Sequence, residues 1–244
     1  MTMINDYLNN INKALTTIKQ EEAEKLQAAA DIIQTTIKAG GVIHSFGSGH
    51  SSLVAADTIN RTGCPVPINQ IIDKTDDMAE RLNGYGATLL RHYEEQYGLQ
   101  ENDCLIVVSN SGRNPLPIEI AMGGRARGLK TIAICNVKQA TSLPSRHESG
   151  KNLSQVADLV LDTHLPIGEA SLALPNSGLA VAPISTFAGM FIMQSILLLA
   201  LQGLDAEGAA IPIFVTDNGA IEDADERNAA SRRRYQGRLR RFGV

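Results

Sequence analysis

Five short apolar runs, residues 42–46, 66–72, 104–108, 131–135 and 159–161, alternate with stretches of helical spacing, and this alternation constrains the fold more than any other feature. Most runs hold four to six residues, are rich in Val and Ile, and lack polar–apolar alternation. That is the pattern of parallel strands covered on both faces. Helical spacing occupies residues 51–62, 87–97, 115–127 and 182–201. Such a chain is expected to form a three-layer α/β/α sandwich on a five-stranded parallel sheet with right-handed crossovers. Upstream, Ile4, Leu8, Ile11, Leu15 and Ile18, then Leu26, Ala29, Ile33 and Ile37, mark residues 3–38 as helix, ended by Gly40-Gly41. A simple doubly wound sheet offers that helix no partner, so a neighbouring subunit is expected to supply one. The organisation read from this is an N-terminal helical segment (1–40), an α/β domain (41–204) and a C-terminal extension with an arginine-rich tail (205–244).

Two strand-to-helix corners carry serine and glycine. Phe46-Gly47-Ser48-Gly49-His50-Ser51-Ser52 follows the first run, and Ser109-Asn110-Ser111-Gly112-Arg113-Asn114 follows the third. Ligands of open α/β sheets bind outside the carboxyl ends of the strands, where both loops fall. Helix N-termini leave N–H groups unpaired and attract anions, glycine lets the backbone approach, and serine hydroxyls follow phosphate oxygens. Hydrogen bonds to a charged oxygen contribute about 1.5–3 kcal/mol each, so a few of them hold a phosphomonoester without an obligatory lysine. A dinucleotide site fits less well. Ser52 stands where the third glycine belongs, Asn69 and Gln70 where the acid belongs, and the second serine loop has no role in it.

Neither metal nor cofactor is expected. No two histidines stand at helical ligand spacing, and Cys64, Cys104 and Cys135 are too far apart for a zinc cluster and read as buried thiols. The N-terminal region has no continuous apolar segment, and residues 192–201 are too few to cross a bilayer, so a cytoplasmic protein with no membrane partner is expected. Formal net charge is −4, yet residues 227–244 carry seven arginines and no acid, leaving −11 on the rest. An acidic body without interleaved aromatics argues against nucleic acid and for docking of the tail on its own subunit or a neighbour. Three polar segments lack a regular pattern: 73–85, placed to cap the cleft, 139–154 and 162–183.

The two loops, together with Gly128-Leu129-Lys130-Thr131-Ile132-Ala133-Ile134-Cys135, resemble the sugar isomerase (SIS) domain. That phosphosugar-binding module, flavodoxin-like in fold, occurs in phosphoheptose isomerase, glucosamine-6-phosphate synthase and N-acetylmuramic acid 6-phosphate etherase. The resemblance spans about residues 35–200 and is strongest to single-domain members carrying Gly-Ser/Thr-Gly-His-Ser and Ser-Arg-His-x-Ser-Gly-Lys, which stand here at Gly47–Ser51 and Ser145–Lys151. It implies a phosphorylated sugar as ligand, self-association as a dimer or tetramer, and phosphate contacts from Ser48, Gly49, Ser51, Ser109, Asn110, Ser111, Gly112 and Asn114. The acid–base groups differ. Arg61 occupies the position of the catalytic glutamate of the isomerase and the etherase, residues 190–201 hold no histidine, and Phe187 replaces the lysine of the synthase. An aldose–ketose isomerase then needs another base. Glu169, in the long segment after the fifth run, is the first candidate, with His50 or His147 as its acid–base partner. A non-catalytic phosphosugar sensor and a sugar-phosphate lyase of the etherase kind are the alternatives. His44 reads as core, and Asp57 as a packing or salt-bridge residue.

Overall fold

A computed structural model describes residues 2–75, 78–216 and 223–240; Asp76 and Asp77, in the segment read as a cap, lie outside the described residues, as do parts of the C-terminal extension. The elements run α1 (Met3–Glu21), α2 (Ala23–Lys38), β1 (Ile43–Gly47), α3 (Ser51–Ala56), β2 (Ile68–Ile71), α4 (Tyr85–Tyr97), β3 (Cys104–Val108) and α5 (Pro115–Ala126). They continue with β4 (Lys130–Cys135), α6 (Val137–Ser142), α7 (Leu153–Val156), β5 (Leu159–Asp162), β6 (Ala170–Ala173), β7 (Ala180–Pro183), α8 (Ser185–Ala206) and α9 (Ala224–Arg234).

The first five strands form one parallel sheet in the order β2-β1-β3-β4-β5, with Ile43 opposite Ile68 and Cys104, and Cys104 opposite Lys130. Unbroken apolar runs follow from cores on both faces, because successive side chains point to opposite sides. Cys104, Ile106 and Val108 enter a core with Ile43, Ile132, Ile134 and buried residues of α2 and α8. Leu105 and Val107 enter the other, with Phe46, Ala133 and residues of α4, α5 and α7. Each aliphatic side chain so buried contributes about 1.5–3 kcal/mol. The three-layer, five-stranded parallel architecture expected from the sequence is the one found.

The long N-terminal helix is instead two helices. Glu22 breaks it because its carboxylate turns inward, 1% exposed, to meet Lys25 Nζ at 3.0 Å and His164 Nε2 at 2.8 Å. Nor does this segment lack a partner in its own chain: α2 lies along α8, and α1 touches both α8 and β6. The argument for a neighbouring subunit from an unpartnered helix therefore falls, although Ile4 and Leu8 on α1 remain exposed. By length and apolarity α8 is the one described helix able to cross a bilayer; its packing on both α2 and the sheet accounts for that apolarity. The helix read as 51–62 stops at Ala56, and the turn behind it places Asn60 at φ 52°. The 162–183 segment contains an antiparallel hairpin, β6–β7, too short and half-exposed to show as alternation.

The C-terminal extension folds back on the sheet. Phe214 and Tyr235 join Val42 and Val66 in a third small core. Arg238 pairs with Asp103, while the Asn69 side chain accepts from Arg240 N at 2.9 Å and donates to Arg238 O at 3.2 Å. Docking of the tail on its own subunit is thus realised for Arg238. All three cysteines are buried and unpaired, and burial pushes the Cys104 and Cys135 thiols up to about 12.

Candidate functional site

Strand order reverses between β1 and β3, so the chain leaves these neighbouring strands towards opposite faces. After β1 it enters α3 on the α8 side; after β3 it enters α5 on the other. A crevice must open between the two departing loops. It is a cleft of about 300 Å³ lined by Ser48, Gly49, His50 and Ser51 from the first loop and Ser109, Asn110, Ser111 and Asn114 from the second. Ser48 and Ser111 therefore face one cavity. The apolar floor is Val54, Val108 and Ile134.

Local structure explains each placement. Ser109 N donates to Ile134 O at 3.0 Å, and Gly112 N donates to Ser109 Oγ at 3.2 Å, curling the second loop. Gly112 has φ 61°, a conformation glycine adopts without penalty, and it shapes this turn from outside the cleft lining. Asn114 is the N-cap of α5 and is followed by Pro115, whose fixed φ suits a first helical position. In the first loop a Cβ on Gly47 would stand 2.3 Å from Ser51 O. Backbone cannot yield there as a side-chain tip does. Gly47→Ala is expected to abolish ligand binding and lower the thermal midpoint by several degrees; a variant with unaltered midpoint and affinity would show that the loop tolerates the methyl.

Glu169 also lines the cleft. It sits at the base of the β6–β7 hairpin, where Ile184 N donates to its carbonyl at 3.2 Å and Asn110 Nδ2 lies 3.4 Å from its Oε1. The hairpin is held from α1: Tyr7 Oη donates to Pro183 O and Asn10 Nδ2 to Ser171 O, both at 2.9 Å. His50 lines the cleft from an exposed position at its rim. His147 does not join them. It is buried beneath the 145–151 loop, its Nδ1 2.7 Å from Ser149 Oγ and its Nε2 3.6 Å from Glu119 Oε1, so it pins that loop.

Four polar residues line the cleft that the loops did not announce: Glu80, Thr163, Ser185 and Thr186. Ser48 Oγ donates to Glu80 Oε1 at 2.7 Å, putting a second carboxylate in the cleft. Ser185 and Thr186 open α8 and aim a third helix N-terminus at the same space. Asn110 and Thr163 line the cleft, and each has one enclosed atom without a hydrogen-bond partner, Asn110 Oδ1 and Thr163 Oγ1. Burying such atoms unpaired costs about 1–3 kcal/mol each. Arg61 is not among the residues lining the cleft: it pairs with Asp57, which also accepts from Gln194 Nε2 at 3.0 Å. Among the described residues, no cluster of three His, Cys, Asp or Glu is placed to hold a metal ion.

A parallel sheet in this order, with paired serine loops at its switch point, defines the SIS-domain class, and the SIS domain matches residues 6–136; the chain belongs to that family. Within it, the chain is 35% identical to a UPF0309 protein of Geobacillus kaustophilus (strain HTA426), across 97% of this chain and 96% of that one. The fold is shared with a phosphoheptose isomerase from Francisella tularensis (TM-score 0.58, 18% identity, 83% of this chain and 100% of that chain). It is shared too with the Vibrio vulnificus NanR protein complexed with ManNAc-6P (TM-score 0.54, 14% identity, 85% of this chain and 65% of that chain). At these identities the likeness to the solved structures is one of fold.

Proposed function

We propose that the cleft binds a phosphorylated sugar and moves a proton between its C1 and C2, interconverting aldose and ketose. The observation that carries this reading is the convergence of both serine loops, with two carboxylates, on one small cavity at the switch point. Ser109, Ser111, Asn114 and Ser51 hold the phosphate, because Ser48, the other first-loop hydroxyl in the cleft lining, is engaged by Glu80. A dianion avoids that carboxylate. Asn110 and Thr163, on the same lining, face the sugar. Enediolate chemistry needs one group to remove a proton and another to deliver one. Glu80, fixed on Ser48, is the base, and Glu169 on the hairpin, with His50 at the rim, completes proton transfer. The phosphosugar bound to the NanR protein supports the ligand class, and the phosphoheptose isomerase fold supports the reaction class.

The test is a panel of aldose and ketose phosphates in deuterated water, read by NMR. Deuterium entering C2 of at least one is the expected result; no incorporation with any, at protein concentrations that show saturable binding, rejects catalysis. Arg61, ion-paired where the catalytic glutamate of relatives is expected, favours a second reading as a binding module. Thermal stabilisation by a sugar phosphate without exchange is its signature. Self-association rests on the exposed Ile4, Leu8, Leu179 and Leu198, and sedimentation at micromolar concentration tests it.

A further inference from the structure

Three arginines, Arg81, Arg113 and Arg146, gather beside the cleft, near enough for their charges to act on one another. Arg81 follows Glu80 and Arg113 precedes Asn114, so two of them adjoin residues of the lining. Arg146 reaches in from the 145–151 loop, its Nη1 donating to Asn114 Oδ1 at 2.7 Å. Main chain ties it to the second loop: Arg146 N donates to Arg113 O at 2.9 Å, and Arg113 Nε donates to Pro144 O at 2.8 Å. Among the described residues none of the three forms an ion pair, and Arg81 makes no side-chain hydrogen bond either.

The 145–151 loop is built to keep Arg146 in place. Ser145 Oγ donates to Lys151 O at 2.7 Å and accepts from His147 N at 3.0 Å, while buried His147 anchors the loop from below. Partial burial, then the nearby guanidiniums of Arg81 and Arg113, press the Arg146 pKa below its ordinary value, against the opposing pull of Glu80. Like charges gathered on a stiff frame with one opposing carboxylate are stabilised by an incoming anion. The serine loops already account for one phosphate, so the arginines are free for another acidic group.

We infer that Arg81, Arg113 and Arg146 form an anion subsite beside the cleft, and that the preferred sugar phosphate carries a second acidic group, a carboxylate or a second phosphate. This rests on the phosphosugar reading given above. Guanidinium forks suit either group, since both accept paired N–H donors.

Calorimetric titration of the full chain with four probes tests it: 6-phosphogluconate against glucitol 6-phosphate for the carboxylate, and fructose 1,6-bisphosphate against fructose 6-phosphate for the second phosphate. In at least one pair the doubly acidic probe should bind about tenfold tighter. Which pair shows the gap identifies the group. Arg81→Gln should remove most of that preference and leave the singly acidic probe within about twofold, whereas Arg146→Gln should remove the preference and also weaken all probes, since it loses the bond to Asn114. Arg81→Gln breaks no hydrogen bond seen in the fold, so its effect is not one of misfolding. Equal affinity within both pairs overturns the subsite, as does equal weakening of all four probes by Arg81→Gln, which would assign the arginines to the first phosphate. Saturable binding of none of the four overturns the phosphosugar reading, and the subsite with it.

Discussion

Glu80→Gln should slow deuterium exchange at C2 by about 10²- to 10⁴-fold, the usual contribution of a positioned proton-transfer group. Affinity for the sugar phosphate should move by less than about threefold, since glutamine keeps the shape and the acceptor that Ser48 Oγ uses. Glu80 is suited to the task by fixation. Its side chain is held by Ser48 at 2.7 Å, and its backbone carbonyl accepts Leu116 N at 3.2 Å, tying the segment to the start of α5. Glu169→Gln should cost less, because the hairpin base leaves that carboxylate a looser partner in Asn110 at 3.4 Å. Full exchange by Glu80→Gln with strong loss in Glu169→Gln would exchange the two roles.

The second large effect concerns stability. Asp103 is fully enclosed and accepts from Val42 N at 2.8 Å, Gln100 N at 2.7 Å, His44 Nε2 at 3.1 Å and the Arg238 guanidinium. Burial alone would push its carboxyl up, but these four contacts outweigh it and hold the pKa at about 2. Burial also lowers the pKa of His44 against the pull of Asp103, so His44 stays neutral, donating through Nε2 and accepting Tyr93 Oη on Nδ1 at 2.8 Å. Asp103→Asn leaves a buried guanidinium without its anion, a change that costs about 3–5 kcal/mol. For a chain of this size the unfolding midpoint should fall by roughly 10 °C. Both pKa directions fix the pH dependence. The Asp103 contribution, about 2 kcal/mol, is complete above its unfolded value near 3.8 and is lost as pH falls through about 2. The neutral His44 makes stability decline as pH drops below 6.5, where the unfolded chain takes up its proton first. Calorimetry from pH 7 to pH 2 should show this fall in the parent chain and a shallower limb below pH 4 in Asp103→Asn; an unchanged midpoint at pH 7 would remove the cluster from any account of stability.

The sheet was legible because both its faces are buried: 104–108 reads as strand from five consecutive apolar residues and is found with those bounds. The two loops were legible because glycine and serine at a strand end have few other uses. Glu80 was not, since it lies in a polar segment with no period, and only the folded path of residues 78–82 brings it to Ser48. His147 misled for the opposite reason. It stands in a polar loop where an acid–base role is expected, but the tight 145–151 turn sends the imidazole inward and the Arg146 guanidinium toward Asn114. Ser185 and Thr186 carried a weak signal as hydroxyls ahead of a long apolar stretch, the pattern of a helix start.

The grip of α1 on the β6–β7 hairpin has a consequence for biosynthesis. Tyr7 and Asn10 leave the ribosome at least 160 residues ahead of the carbonyls they hold, those of Pro183 and Ser171. Until the hairpin emerges, nothing fixes Glu169 beside the serine loops. Translation products stopped short of it therefore carry both serine loops but lack one wall of the cleft, which is complete only as the final third of the chain arrives.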